Sequence, residues 1–125
     1  MISNKTGVIL YTVVRGSEVR ERPIICGMIK ELTTKEDHPD FNISVVDISG
    51  ETKNHHHNRT TEAYYVLDGS ITVLLDNKKK EILNKGDLLV IKPGTKHKAF
   101  SNGREARILV VASPAFDIND EIEDE

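Results

Sequence analysis

Two imidazoles set two residues apart, His55 and His57, inside a stretch of otherwise β-forming sequence constrain this chain more than any other feature. On an extended strand residues i and i+2 share a face, so His55 and His57 project together and His56 projects the other way. Glu62 follows five residues after His57. That odd offset would put it on the opposite face of one regular strand. The carboxylate and the imidazoles can converge only if Asn58-Arg59-Thr60-Thr61 turns the chain and Glu62 lies on the next strand. The composition of that tetrapeptide suits a turn. Glu62, Tyr64 and Val66 then share an inward face, with Ala63, Tyr65 and Leu67 packed on the other.

The remaining sequence supplies strands and turns to surround such a cluster. Strands are expected at Gly7–Arg15, Ile24–Leu32, Phe41–Ile48, Tyr64–Leu67, Ser70–Leu75, Lys80–Leu83, Leu88–Ile91, His97–Ser101 and Ala106–Ala112. Turn signals separate them at Asp68-Gly69, Asp76-Asn77-Lys78, Asn84-Lys85-Gly86-Asp87, Pro93-Gly94 and Asn102-Gly103. Asp68-Gly69 between two apolar runs carries the strongest hairpin signal of the set. Short strands with turns every 8–12 residues or so describe an all-β sandwich or barrel. No amphipathic helical period is visible; at most a turn forms near Thr33 or in the C-terminal tail.

At 125 residues the chain fits one domain with a core of its own. A single cysteine, Cys26, rules out an internal disulfide and fits a small buried apolar residue. Neither a leader pattern nor a membrane-length apolar run is present, so a cytoplasmic location without membrane contact is expected. The net charge of −3 is concentrated at the C-terminus, where residues 117–125 hold six acids and no bases. The other residues carry 14 acids (20 less 6) against 17 Lys+Arg, about +3. Such a tail reads as a solvated, frayed or short helical end rather than a site. The body is too weakly basic for a nucleic-acid partner.

A further histidine, His97, follows the turn Lys92-Pro93-Gly94-Thr95-Lys96 and opens a strand. If it points inward, Ala99 and Ser101 follow it, while Lys96, Lys98 and Phe100 point away.

With these residues in place the sequence resembles the cupin superfamily. Its first motif is matched by Gly50, His55, His57, Glu62 and Gly69, with four residues instead of the usual five between Gly50 and His55. Its second motif is matched by Gly86 and the run Lys92–His97, followed by Ser101. Lys92 stands where proline is usual and Ser101 where asparagine is usual; both are turn or strand-end positions. The resemblance covers residues 41–112 and implies a double-stranded β-helix, or jelly-roll barrel. Residues 1–40 then form an N-terminal strand arm of the kind exchanged in a homodimer, and residues 113–125 an acidic tail.

The resemblance implies that His55, His57, Glu62 and His97 hold one divalent metal. Three imidazoles and a carboxylate suit Mn, Fe, Co, Ni, Cu or Zn and disfavour Ca or Mg. A metal so held can act as a Lewis acid, orient an oxygen-bearing substrate or, if redox-active, engage dioxygen. The expected function is a metalloenzyme acting on a small oxygen-containing molecule, with dioxygenase or decarboxylase chemistry ahead of sugar or sugar-phosphate isomerisation. A non-catalytic module binding or sensing a small ligand is the alternative, and a metal that only stabilises the barrel a third. Tyr64 is the one side chain offered as a catalytic group, against a plain packing role. A phosphate-bearing substrate would need an inward base, for which Arg15, Arg20, Arg22 and Lys30 are the candidates. The inward residues near the metal are nearly all apolar, so a narrow, mostly hydrophobic pocket is expected.

Overall fold

The computed structural model describes residues 2–3 and 9–125, with side chains from Leu10 onward. The described residues form thirteen strands: β1 (Ile2–Ser3), β2 (Ile9–Tyr11), β3 (Arg22–Ile24), β4 (Gly27–Glu31), β5 (Asn42–Ile48), β6 (His55–His57), β7 (Thr61–Asp68), β8 (Ser70–Leu75), β9 (Lys79–Asn84), β10 (Leu88–Ile91), β11 (His97–Ser101), β12 (Ala106–Ser113) and β13 (Glu121–Glu123). Short 3₁₀ turns at Gly16–Glu18 and Ile118–Asp120 are the only helical segments among the described residues. Among the described residues no helix is long and apolar enough to cross a membrane.

Apart from the small β1-β2 pair, the strands form two antiparallel sheets. One has six strands in the order β10-β7-β12-β5-β4-β3, the other five in the order β13-β6-β11-β8-β9. Their inner faces enclose a core of Val46, Ile48, Val66, Ile71, Val73 and Ile108, with Tyr64 and Ala99 beside them. The alternation is clean on β5, where Asn42, Ser44, Val46 and Ile48 are buried and the residues between them half-buried. Burying each of the large aliphatic chains contributes about 2 kcal/mol, so β5 and β12 fix the register on which the rest of the barrel hangs. This is a jelly roll.

The strands depart from the sequence expectations in four places. The Asp68-Gly69 hairpin does not form. β7 pairs with β10 and β12, and β8 pairs with β9 and β11, so Asp68-Gly69 is a corner that carries the chain from one sheet to the other. Gly69 is required there because its φ is +76° and a Cβ would sit 3.1 Å from the Ala106 backbone. The expected strand at Ile24–Leu32 is instead a hairpin, β3 and β4, folded at Ile25-Cys26. That hairpin joins the main sheet through β4 and β5, so the barrel includes residues outside the 41–112 span. Of the Gly7–Arg15 expectation, Gly7 and Val8 lie outside the described residues, and the strand runs only over Ile9–Tyr11.

The fourth departure is the tail. Residues 121–123 form β13, paired with the histidine strand β6 in the register Glu121↔His57, Ile122↔His56 and Glu123↔His55. Side-chain partners of several acids hold the tail in place, although Glu121, Glu123 and Glu125 are exposed. Asp124 accepts from His56 Nδ1 at 2.7 Å, Lys53 pairs with Glu123 at 3.3 Å, and Asp120 is buried against backbone donors.

Gly27 makes the hairpin turn possible. Its φ is +153°, and a Cβ would lie 1.9 Å from the Asp47 carbonyl oxygen on the adjacent strand. No rotamer relieves a contact with backbone, so β4 would have to part from β5. Replacing Gly27 with Ala should therefore destabilise the fold by about 3 kcal/mol or more. Urea denaturation of the two proteins measures this, and an unchanged midpoint would show that the turn relaxes.

Candidate metal centre

The two histidines of β6 and the glutamate of β7 come from different sheets, so residues 58–60 carry the chain across the barrel. His55 and His57 are both buried on one face of β6, with His56 on the other. Glu62, Tyr64 and Val66 are the buried positions of β7, and Ala63, Tyr65 and Leu67 the more exposed ones. His97 opens β11 opposite His55 and is 1% exposed. Its strand is anchored on both sides. Lys96 exchanges backbone and side-chain bonds with Asp76, at 2.8 and 3.1 Å, and Ala99 does the same with Thr52 at 2.8 and 2.9 Å. The Pro93-Gly94 turn reaches back to β6, with Gly94 N–H donating to the His57 carbonyl.

One ligand atom from each of His55, His57, Glu62 and His97 lies within 4.8 Å of the other three. The cluster could hold a metal. His97 Nε2 lies 2.9 Å from Glu62 Oε1, and His57 Nε2 lies 3.2 Å from the same oxygen. The second approach is off the line that a hydrogen bond needs, so both nitrogens of the buried His57 ring lack a hydrogen-bond partner. A buried polar atom without a partner costs about 1–3 kcal/mol. A cation between the rings would remove that cost.

The tautomers are set for the same purpose. His55 Nδ1 lies 2.7 Å from the Lys53 carbonyl, and His97 Nδ1 lies 2.9 Å from the Thr95 carbonyl. A carbonyl oxygen can only accept, so Nδ1–H donates in both rings and Nε2 is the nitrogen that faces the cluster. His56 is excluded from the cluster, as its Nδ1 faces Asp124 on the tail.

Electrostatics reflects the crowding. Burial pushes the Glu62 carboxyl upward, but His57 and His97 more than offset it and hold the group down at about 2. Burial lowers His57, yet the Glu62 carboxylate close beside it leaves it above its ordinary value. Burial and the neighbouring His97 lower His55. Burial, with Glu62 nearby, raises the Tyr64 phenol well above its ordinary value. Tyr64 stacks edge-on against His97 with ring centres 6.2 Å apart, inside the barrel and beside the cluster.

The cluster opens into a cavity of about 610 Å³, larger than the narrow pocket expected. Its walls are mostly aliphatic, from Ile24, Ile29, Val46, Ile48, Ile108 and Val110, with Asn42 and Ser44 as inward polar groups. The β3-β4 hairpin contributes Arg22, one of the candidate inward bases, together with Glu31. The tail contributes lining that the sequence did not suggest, from Phe116, Ile118, Glu121 and Glu123. Phe116 packs edge-on to His57 at 6.0 Å, and Glu121 Oε1 lies 3.8 Å from His55 Nε2. The only sequence signal for them was the apolar Phe116, Ile118 and Ile122 spaced among the acids.

Of the four basic residues considered for anchoring a phosphate, only Arg22 reaches the cavity, and it is tied to Glu31 through two nitrogens. Lys30 lines a separate groove with Glu21, Asp47 and Arg107. Arg15 and Arg20 line neither.

Comparison with known proteins agrees with this architecture. The sequence profile described as the cupin domain matches residues 42–112. Among curated proteins, the chain is 35% identical over 78 residues to the uncharacterised protein MJ1618 of Methanocaldococcus jannaschii, over 62% of each chain. It is 32% identical over 84 residues to the uncharacterised protein YdbB of Bacillus subtilis, over 61% of this chain and 74% of that one. The match thus spans about three-fifths of the archaeal relative's length. Among solved structures, the nucleoside dehydratase Pac13 of Streptomyces superposes with a TM-score of 0.80 at 17% identity, over 92% of both chains. Oxalate decarboxylase of Bacillus subtilis superposes with a TM-score of 0.72 at 19% identity, over 90% of this chain and 33% of that one. At these identities the structural likeness speaks to fold alone.

Proposed function

This chain belongs to the cupin family, and from that membership we propose that it is a metalloenzyme acting on a small oxygen-bearing molecule. His55, His57, Glu62 and His97 are its proposed ligands for one divalent transition metal. The observation that carries the reading is the buried His57 ring without a hydrogen-bond partner, beside two imidazoles whose Nδ1–H groups are committed to carbonyls and whose Nε2 atoms are turned toward the same point. When bound, the metal supplies Lewis acidity, or redox chemistry if it is iron, manganese or copper.

The protein's own residues then bind and shield. The aliphatic walls exclude water and strengthen every charge interaction inside the cavity. Tyr64, buried with its phenol held protonated, is proposed as a hydrogen-bond donor to a substrate oxygen. Charge favours a substrate without a phosphate. The cavity lining holds four carboxylates, Glu31, Glu62, Glu121 and Glu123, against two basic side chains, Arg22 and Lys53. Both bases are paired to a carboxylate. This places sugar-phosphate isomerisation behind dioxygenase- or decarboxylase-type chemistry on an unphosphorylated molecule.

The test is to load the protein with iron or manganese and expose it to small acids, phenols and their phosphorylated counterparts. Oxygen uptake and released carbon dioxide are followed. Turnover of an unphosphorylated compound that is lost in His97→Ala supports the proposal. Turnover confined to phosphorylated sugars would overturn the substrate class.

The exposed Leu10, Tyr11, Val13 and Val14 of the N-terminal arm support the further proposal of a homodimer built through those strands. Sedimentation should give a dimer for the full chain and a monomer once residues 1–15 are removed. A dimer surviving that truncation would place the contact elsewhere.

A further inference from the structure

The connection between His57 and Glu62 has a partner far away in sequence. Asn58, Arg59 and Thr60 are consecutive, and their three backbone N–H groups all donate to the carboxylate of Asp120, at 3.1, 3.1 and 3.2 Å. Asp120 is buried at 5% exposure, and Thr60 at 3%. Burial opposes ionisation of Asp120, but these three donors hold its carboxyl below the usual aspartate range. The Arg59 guanidinium stands 3.9 Å from the same carboxylate and from Asp117. The Thr60 hydroxyl donates to the Pro114 carbonyl at 3.3 Å, so the connection is held at both ends of the tail's turn.

The geometry matters because this short connection crosses between sheets with a candidate ligand at either end. No strand pairing fixes its backbone: β6 ends at His57 and β7 starts at Thr61. Three consecutive donors on one carboxylate fix three peptide planes at once, and so fix how far apart and at what angle the His57 ring and Glu62 carboxylate stand. The tail continues from Asp120 directly into β13, whose Glu121 lies opposite His57 in the strand ladder. The same segment therefore sets the connection and the outer edge of the ligand strand.

We propose that Asp120 is a positioning residue for the metal centre: its carboxylate, delivered by the C-terminal strap, sets the His57–Glu62 spacing and thereby the metal affinity, although it is not itself a ligand. The inference rests on the metal-centre reading above. Without Asp120, three N–H groups seek other partners, and the two ligands on either side of them are held only by their own strand ladders.

The experiment compares wild type, Asp120→Ala and Asp120→Asn as full chains. Zinc dissociation constants come from competition with a chelator, and ligand geometry from the visible spectrum of the cobalt-loaded protein. Asp120→Ala should raise the zinc dissociation constant at least tenfold and change the cobalt spectrum. Asp120→Asn, which keeps an acceptor oxygen, should fall between. If Asp120→Ala does not fold, Asp120→Asn decides alone. A merely structural aspartate would lower the unfolding temperature of the metal-free protein and leave both readouts unchanged in the folded variants. Dissociation constants within twofold of wild type with an unaltered cobalt spectrum would overturn the proposal. Failure of wild type itself to bind zinc or cobalt would instead overturn the metal-centre reading on which it stands.

Discussion

Changing Glu62 to glutamine should weaken metal binding by more than about a hundredfold while leaving the barrel folded. Residues that only orient metal ligands already cost 10–100-fold when removed, and Glu62 is the one anionic member of the cluster. It is buried, and its charge is secured by its surroundings, with the carboxyl held down at about 2. Glutamine keeps the shape and an acceptor oxygen but removes the charge, leaving a buried dication among neutral ligands. It also turns an acceptor into a donor facing His57 or His97. Chelator competition measures the change. If Glu62→Gln bound metal within a few fold of wild type, Glu62 would be a partner of the imidazoles and not a ligand.

Metal affinity should also collapse as the solution is acidified, by at least about a hundredfold between pH 7 and pH 5. An imidazole must be neutral to bind a metal, and each ligand below its pKa costs about tenfold per pH unit. The His57 value lies above the ordinary 6.5, so proton competition there begins near neutrality, while the lowered His55 joins later. The metal-free protein responds differently. A raised His57 contributes stability that is complete below pH 6.5 and is lost as the pH rises through its folded value. A depressed Glu62 contributes stability that is present above pH 4.5 and is lost as the pH falls toward about 2. The His57 and Glu62 contributions are therefore both complete between pH 4.5 and 6.5, where metal is released. The lowered His55 opposes them there, since its contribution is present above pH 6.5 and is lost as the pH falls. Zinc titrations at a series of pH values, beside thermal unfolding of the metal-free form, check both statements. Undiminished affinity at pH 5 would exclude histidine ligands.

The cluster was legible in the sequence because strand geometry is a local rule. The two-residue spacing of His55 and His57 fixes a common face, and the five-residue offset to Glu62 demands the crossing that β6 and β7 make. His97 needed more than local rules, since nothing near it in the chain says that β11 lies against β6. The motif resemblance pointed to it. Strand pairing was read less well, for the same reason. Asp68-Gly69 has the residues of a hairpin, but β7 gains two long-range partners and β8 two others, and the glycine serves the corner beside Ala106 instead. The tail was misread because six acids imply solvation only if no donors await them. Asp120 meets three backbone N–H groups and Asp124 meets His56, neither of which composition can reveal. The β3-β4 hairpin hid its turn because Ile25-Cys26 is apolar, and its strand-breaking residue is Gly27 at the start of β4.

The proposed centre is one transition metal held by His55, His57, Glu62 and His97. Elemental analysis of protein loaded with zinc or cobalt and freed of excess metal, run beside His97→Ala, tests it most directly. The account predicts one metal per chain in the wild type and close to none in the variant. Equal metal in both proteins, or none in either, would contradict it.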